Sequence, residues 1–207
     1  EASLPDGVLE FRSVPCRTPA HVSVDGPLLG NGDMKVALGG KPEGQRFFLG
    51  KNDLWRLQHG YGNGAPVCFG ELVLEIPELA GAGYLVRQPL DRPRTEGEFR
   101  KDGLTVRQRT LVAADRNLMW IHLEAEGRSV EVRPVLKVLA GRGSDNRTLV
   151  RDGVLFGQRS FGEDQVAIPT GVAVAARILG AAMTRADAAA PPTLTTTHRV
   201  EIGRGQF

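Results

Sequence analysis

Cysteine, aromatic residues and long apolar runs are all scarce in this sequence, and each scarcity removes a class of protein. Only two cysteines occur in 207 residues. Cys16 and Cys68 have no Cys-x-x-Cys spacing and cannot by themselves build a four-ligand zinc site; one disulfide or two free thiols both remain open. No uninterrupted apolar run is long enough to cross a bilayer, so membrane insertion is not expected. The net charge is only +2, and the basic residues are scattered rather than gathered into a stripe, which removes the electrostatic footprint of a nucleic-acid partner. The histidines, His21, His59, His122 and His198, lack metal-ligand spacing, so neither a metal nor another cofactor is expected. No secretory leader starts at Glu1, so the chain reads either as a mature exported protein, secreted or periplasmic, or as a cytoplasmic one.

Catalytic motifs are missing too. The stretch from Gly44 to Gly50 and Lys51 has one residue too many between its glycines for a phosphate loop, and Asn52 stands where Ser or Thr would hold magnesium. Gly30-Asn31-Gly32 lacks the third glycine of a dinucleotide fingerprint. There is no GxSxG and no HExxH. Glu163 and Asp164 are adjacent carboxylates, but neighbours on a strand point to opposite faces and neighbours in a loop are simply solvated.

What the sequence does have is period-2 alternation, repeated from end to end. Residues 8–14, 34–38, 45–49, 71–76, 84–90, 154–161, 171–179 and 193–202 read as strands. In residues 71–76, Leu72, Leu74 and Ile76 share one face, and Pro77 ends the run. Leu104 and Val106 face inward while Arg107 and Arg109 face out, with the phase slipping near Leu111 as at a bulge. Met119, Ile121 and Leu123 oppose Trp120 and His122. Val130, Val132, Leu136 and Val138 alternate with charged residues, and Pro134 within that run points to an edge strand or a bulge. Residues 39–44 read as a hairpin loop longer than two residues, 1–7 as a loose lead, and 180–192 as a long loop of small residues. The pattern is that of one all-β domain of about a dozen strands. Its expected fold is a large antiparallel two-sheet β-sandwich.

Residues 27–55 form the most distinctive stretch. Leu28 to Asp33 is a tight turn, because Gly30 and Gly32 flank an Asn that tolerates positive φ. A hairpin then delivers Lys51-Asn52-Asp53-Leu54-Trp55 to one end of the sheet. Asn52, Asp53 and Trp55 are candidate substrate-binding residues, since an aromatic ring offers an apolar face to a pyranose while Asn and Asp bond its hydroxyls. The competing reading is a turn followed by a core tryptophan. His59, in a glycine-rich loop over residues 58–66, is a fourth candidate on the same surface.

The order Leu29-Gly30-Asn31-Gly32-Asp33, the strand ending Gly39-Gly40, and Phe47-Phe48-Leu49-Gly50-Lys51-Asn52-Asp53-Leu54-Trp55 resemble the start of the amino-terminal sandwich domain of glycoside hydrolase family 95, the α-L-fucosidase type. Phe69-Gly70-Glu71-Leu72, residues 84–90 and residues 106–117 extend the resemblance over most of residues 27–180. Asn52-Asp53-Leu54-Trp55 departs from the family's Glu-Asp-Thr-Leu-Trp, and Lys35 stands where the family has Gly, so a sister family also fits. The resemblance implies a supersandwich that packs on a following (α/α)6 barrel carrying the catalytic carboxylates. The chain then serves as an accessory domain that meets carbohydrate, and is inactive alone. Two rivals stand beside it: an independent carbohydrate-binding module, and the amino domain of a family 65 disaccharide phosphorylase. An accessory domain should keep an apolar patch where its partner sat, and Leu118 and Trp120 are expected there, because their strand carries large apolar side chains on both faces.

Overall fold

The computed structural model describes residues 7–15, 25–57, 59–60, 64–139, 143–187 and 193–200. In chain order the strands are β1 (Val8–Phe11), β2 (Leu28–Gly30), β3 (Met34–Lys41), β4 (Gly44–Leu57), β5 (Gly64–Glu75), β6 (Gly83–Pro89), β7 (Arg94–Lys101), β8 (Leu104–Val112), β9 (Met119–Glu126), β10 (Val130–Val138), β11 (Asp145–Arg151), β12 (Val154–Phe161), β13 (Thr170–Ala176), β14 (Ala182–Asp187) and β15 (Thr193–Val200). A short 3-10 turn, Pro77–Leu79, joins β5 to β6. The fold is an all-β antiparallel sandwich.

One layer is a seven-stranded sheet in the order β14-β15-β10-β5-β4-β3-β2. The facing layer is divided into a five-stranded sheet, β1-β6-β7-β8-β9, and a three-stranded sheet, β11-β12-β13. Register shows that both lie on the same face. Phe47, Leu72 and Leu136 are partners across β4, β5 and β10 and so share one face. Toward one end of that row, Phe47 meets Tyr84, Val86 and Phe99 of the five-stranded sheet around a small void. Toward the other, Gly157 of β12 lies so close that an added β-carbon would stand 2.8 Å from Val138 and 3.3 Å from Leu136. The glycine lets the three-stranded sheet press onto the core.

Alternation explains most of these strands. In β8, Leu104, Val106, Gln108, Thr110 and Val112 are buried while the residues between them are not. The phase therefore runs unbroken through Leu111, correcting the expected bulge. Two buried polar residues occupy core-facing positions, and Gln108 donates to Thr110 at 3.2 Å. The β3–β4 connection is also tighter than expected. Lys41 pairs with Gly44, leaving only Pro42 and Glu43 in the turn. Gly40 enters that turn at φ +81°.

Pro134 lies inside the seven-stranded sheet rather than at its edge. It pairs with Leu74 of β5 on one side, while on the β15 side the pairing covers Val130–Val132 and Val135–Lys137 and skips Arg133 and Pro134. The missing N–H falls at that gap in the ladder. Residues 182–187 form β14, paired with β15, so the expected loop over 180–192 holds a strand. Small residues anchor poorly by side chains, but backbone pairing needs none. β11 was not anticipated from the pattern, and residues 188–192, like most of the lead at 1–7, lie outside the described residues.

Candidate functional site

β4 is fourteen residues long and irregular in its second half. Its pairing with β5 shifts after Leu49 and resumes at Trp55 opposite Pro66. Asn52 and Asp53 thus lie in a bulged stretch within a strand, not in a loop beyond one. The polar triplet looks like a turn in sequence, yet Lys51 still pairs with Met34 and the Asn52 N–H donates to the Asp33 carbonyl at 2.7 Å. Leu54 anchors the segment in the core at 1% exposure.

Trp55 is 43% exposed, so it is not a core tryptophan. Its indole N–H donates to the Asn52 carbonyl at 2.6 Å, and Pro66 is its partner across the ladder. The ring is therefore held in place with much of its surface free. Asp53 and Trp55 alternate with buried Leu54 and share the outward side.

His59 takes a different role. Its Nε2 donates to the Glu163 carbonyl at 2.7 Å, and the Ala167 N–H donates to the Leu57 carbonyl at 2.8 Å. These bonds fasten the end of β4 to the turn after β12. Residues 58 and 61–63 lie outside the described residues, as do Cys16 and His21. Cys68 is a free thiol that donates to the Leu49 carbonyl at 3.0 Å.

The structure adds partners that single-residue reading did not single out. Lys51 Nζ donates to Asp53 at 2.6 Å and to Asp33 at 2.9 Å. Asn117 Nδ2 donates to the other Asp33 oxygen at 2.6 Å. Asn31 is consumed structurally: its amide donates to the Ala113 and Arg116 carbonyls, and its carbonyl accepts the Asp33 and Met34 N–H groups. The β2–β3 turn, β4 and the β8–β9 connection are joined in this way. Hairpin register was the available signal, since a turn at Pro42 and Glu43 places Met34 opposite Lys51.

The electrostatics follow from these contacts. The hydrogen bond from Asn117, then that from Lys51, holds Asp33 below the usual carboxylate range. Lys51 is raised by its bonds to Asp53 and then to Asp33. A general acid needs a raised carboxyl pKa, so Asp33 is set up as a fixed anion. Among the described residues no group of three His, Cys, Asp or Glu side chains is placed to hold a metal ion.

Lys51 and Asn117 also stand at one end of a large apolar groove. The groove has a volume of about 1110 Å³ and lies between β9 and β13, over Leu49, Leu72, Leu74 and Leu136 of the seven-stranded sheet. Leu118, at 45% exposure, and Trp120, at 44%, are among its lining residues. No helix among the described residues is long and apolar enough to cross a membrane. A scan against models of protein families gives no match, and a search of curated proteins gives none either.

Near Cys68 lies a second group that the strand pattern holds but that charge-based reading passes over. Arg159 is 5% exposed, on the inward phase of β12 with Leu155 and Phe161. It donates to the Cys68 carbonyl, and its guanidinium carbon lies 5.2 Å from the Phe161 ring centre. Burial lowers its pKa, and no carboxylate among the described residues pairs with it.

Proposed function

We propose that this chain is a carbohydrate-facing accessory sandwich domain of a glycoside hydrolase, with Trp55 and Asp53 as its sugar contacts and a helical catalytic domain as its partner. The observation that carries this reading is Trp55, an indole ring held by its own N–H and left open to solvent beside two exposed polar residues, Asn52 and Asp53. Stacking on such a ring gives a pyranose an apolar contact without the entropic cost of ordering a flexible side chain. The Asp53 carboxylate, oriented by Lys51, supplies the directional acceptor for a hydroxyl. The resemblance of residues 27–55 to family 95 sandwich domains supports the same reading.

The chain acts as a binder in this reading. Glycoside hydrolysis needs two carboxyl groups flanking the bond, one of them protonated. Asp33 and Asp53 instead share one lysine, and Glu163 and Asp164 lie exposed in a turn. The test is titration calorimetry of the chain and of Trp55→Ala and Trp55→Phe with fucose-, galactose- and glucose-containing oligosaccharides, together with an assay on aryl glycosides. Binding retained by Trp55→Phe, lost by Trp55→Ala and accompanied by no turnover is the expected result. Equal binding by Trp55→Ala, or turnover that disappears in Glu163→Ala or Asp164→Ala, overturns the proposal.

A further inference from the structure

The two layers of the sandwich are unequal in a particular way. β9 is the last strand of the five-stranded sheet and β13 the last of the three-stranded sheet, each with a single hydrogen-bonded neighbour among the described residues. Both line the same groove over the same apolar floor. Among the described residues each wall therefore presents a row of backbone N–H and C=O groups with no strand beside it, the feature that makes an edge strand a template for another chain.

Edges of this kind are ordinarily guarded by charge, proline, a bulge or shortness. β11 carries Asp145, Arg147 and Arg151, and β2 has only three residues. β13, with the sequence Thr-Gly-Val-Ala-Val-Ala-Ala, has no charged residue and no proline. On β9 the carboxylates are confined to Glu124 and Glu126. Neither wall of the groove is guarded by proline or by shortness, and β13 carries no charge at all.

The walls set the length of what fits: β9 has eight residues and β13 seven, so a segment that pairs along both spans about seven residues. The described strands of a second copy are each already paired within a sheet, whereas an isolated extended segment brings two free edges to the two rows. An acyl chain would match the floor but leave both rows of backbone groups unpaired, a desolvation cost that an extended peptide avoids.

We propose that the groove is an acceptor for one β-strand, an isolated extended segment of about seven residues from a partner polypeptide, which joins β9 and β13 into one continuous sheet. Its chemistry follows from the walls. Every second residue is apolar, to meet Leu49, Leu72, Leu74 and Leu136. The alternate residues are small or polar beside Ala173 and Ala175, with a basic residue toward Glu124. This inference does not depend on the carbohydrate reading of Trp55.

The experiment is amide hydrogen exchange on the whole chain, alone and with an end-blocked Thr-Val-Thr-Val-Lys-Val-Thr peptide. Parallel arms use the same peptide N-methylated at alternate amides, and oleate. Saturable protection of both β9 and β13 by the plain peptide, absent with the N-methylated one, is the expected result. Ala173→Lys, which adds an edge charge at an exposed position, should weaken peptide binding about tenfold, whereas Trp55→Ala should not change it. Unchanged exchange on both strands overturns the proposal. So does equal binding by the N-methylated peptide, and so does protection by oleate alone, which would assign the groove to a lipid.

Discussion

Asn117 reaches Asp33 across 84 positions of sequence, its amide nitrogen 2.6 Å from the carboxylate, and in doing so pins the β8–β9 connection onto the β2–β3 turn. Asn117 is exposed and Asp33 only half-buried, so the contact orders a surface rather than holding up the core. Asn117→Ala should leave thermal unfolding nearly unchanged while severalfold faster hydrogen exchange appears in residues 114–118. The depressed Asp33 pKa gives the sign of the pH effect. Its contribution is complete above the ordinary value of 3.8 and is lost as pH falls through the lower folded-state value. Asn117→Ala should bring the Asp33 titration, followed by carboxylate NMR, back up toward 3.8. No movement would show that Lys51 alone sets it.

The outer face of the seven-stranded sheet offers a second test. Glu71 is 4% exposed and is held by Arg46 at 2.6 Å and Lys137 at 3.4 Å. Burial pushes its pKa up, but the Arg46 hydrogen bond and the charges of Arg46 and Lys137 outweigh this, so the net shift is downward. Its stabilising contribution is therefore present above pH 4.5 and lost as pH falls through the lowered value. Glu71→Ala should cost about 2 kcal/mol in chemical denaturation near neutral pH, a loss that shrinks in acid. A penalty independent of pH would assign the role of Glu71 to packing.

Gly157 supports a purely steric prediction. A β-carbon there meets Val138 at 2.8 Å, Phe69 at 3.0 Å and Leu136 at 3.3 Å. Gly157→Val should therefore cost about 1–3 kcal/mol by overpacking, and should loosen β11–β13 in hydrogen exchange before the five-stranded sheet. Uniform loosening of all three sheets would show that they unfold as one unit.

Arg159 predicts the opposite sign. A buried guanidinium without a carboxylate partner carries a desolvation cost that an apolar side chain of similar length does not. Arg159→Met should leave unfolding free energy unchanged or raise it by about 1 kcal/mol, even though the bond to the Cys68 carbonyl is lost. A loss of more than about 2 kcal/mol would mean that this bond and the contact with Phe161 outweigh the burial of charge.

Strand identity was legible wherever apolar residues alternate without interruption, as at Leu72, Leu74 and Ile76. It failed where polar residues occupy core positions. Gln108 and Thr110 are buried in β8 and made an unbroken strand look bulged. β11 is missed by apolar pattern because its exposed and half-buried residues are mostly polar, yet the Asp152-Gly153 pair after it is a hairpin signal. Asp152 at φ 50° and Gly153 at φ 73° form the doubly positive turn that such pairs favour, and Asp102 at φ 45° with Gly103 at φ 76° does the same between β7 and β8. Of the candidate site, Asn52, Asp53 and Trp55 were readable from residue type. Their geometry was not, because a bulge inside β4 depends on the register with β3 and β5. The groove was foreshadowed only by the two-faced apolar character around Trp120, since a gap between sheets belongs to topology.

The strand order also sets a schedule for making the protein. β5 pairs with β10, yet about 55 residues separate Glu75 from Val130, and at about 5–20 residues per second a ribosome takes roughly 3–10 seconds to deliver them. Through that interval the growing sheet of β2 to β5 ends in a twelve-residue strand with one side bare, while β6 to β9 complete their meander beside it. A nascent chain of this topology therefore passes through a stage in which its longest open edge is also among its most apolar. Chaperone demand should peak there and fall once residue 138 has left the exit tunnel.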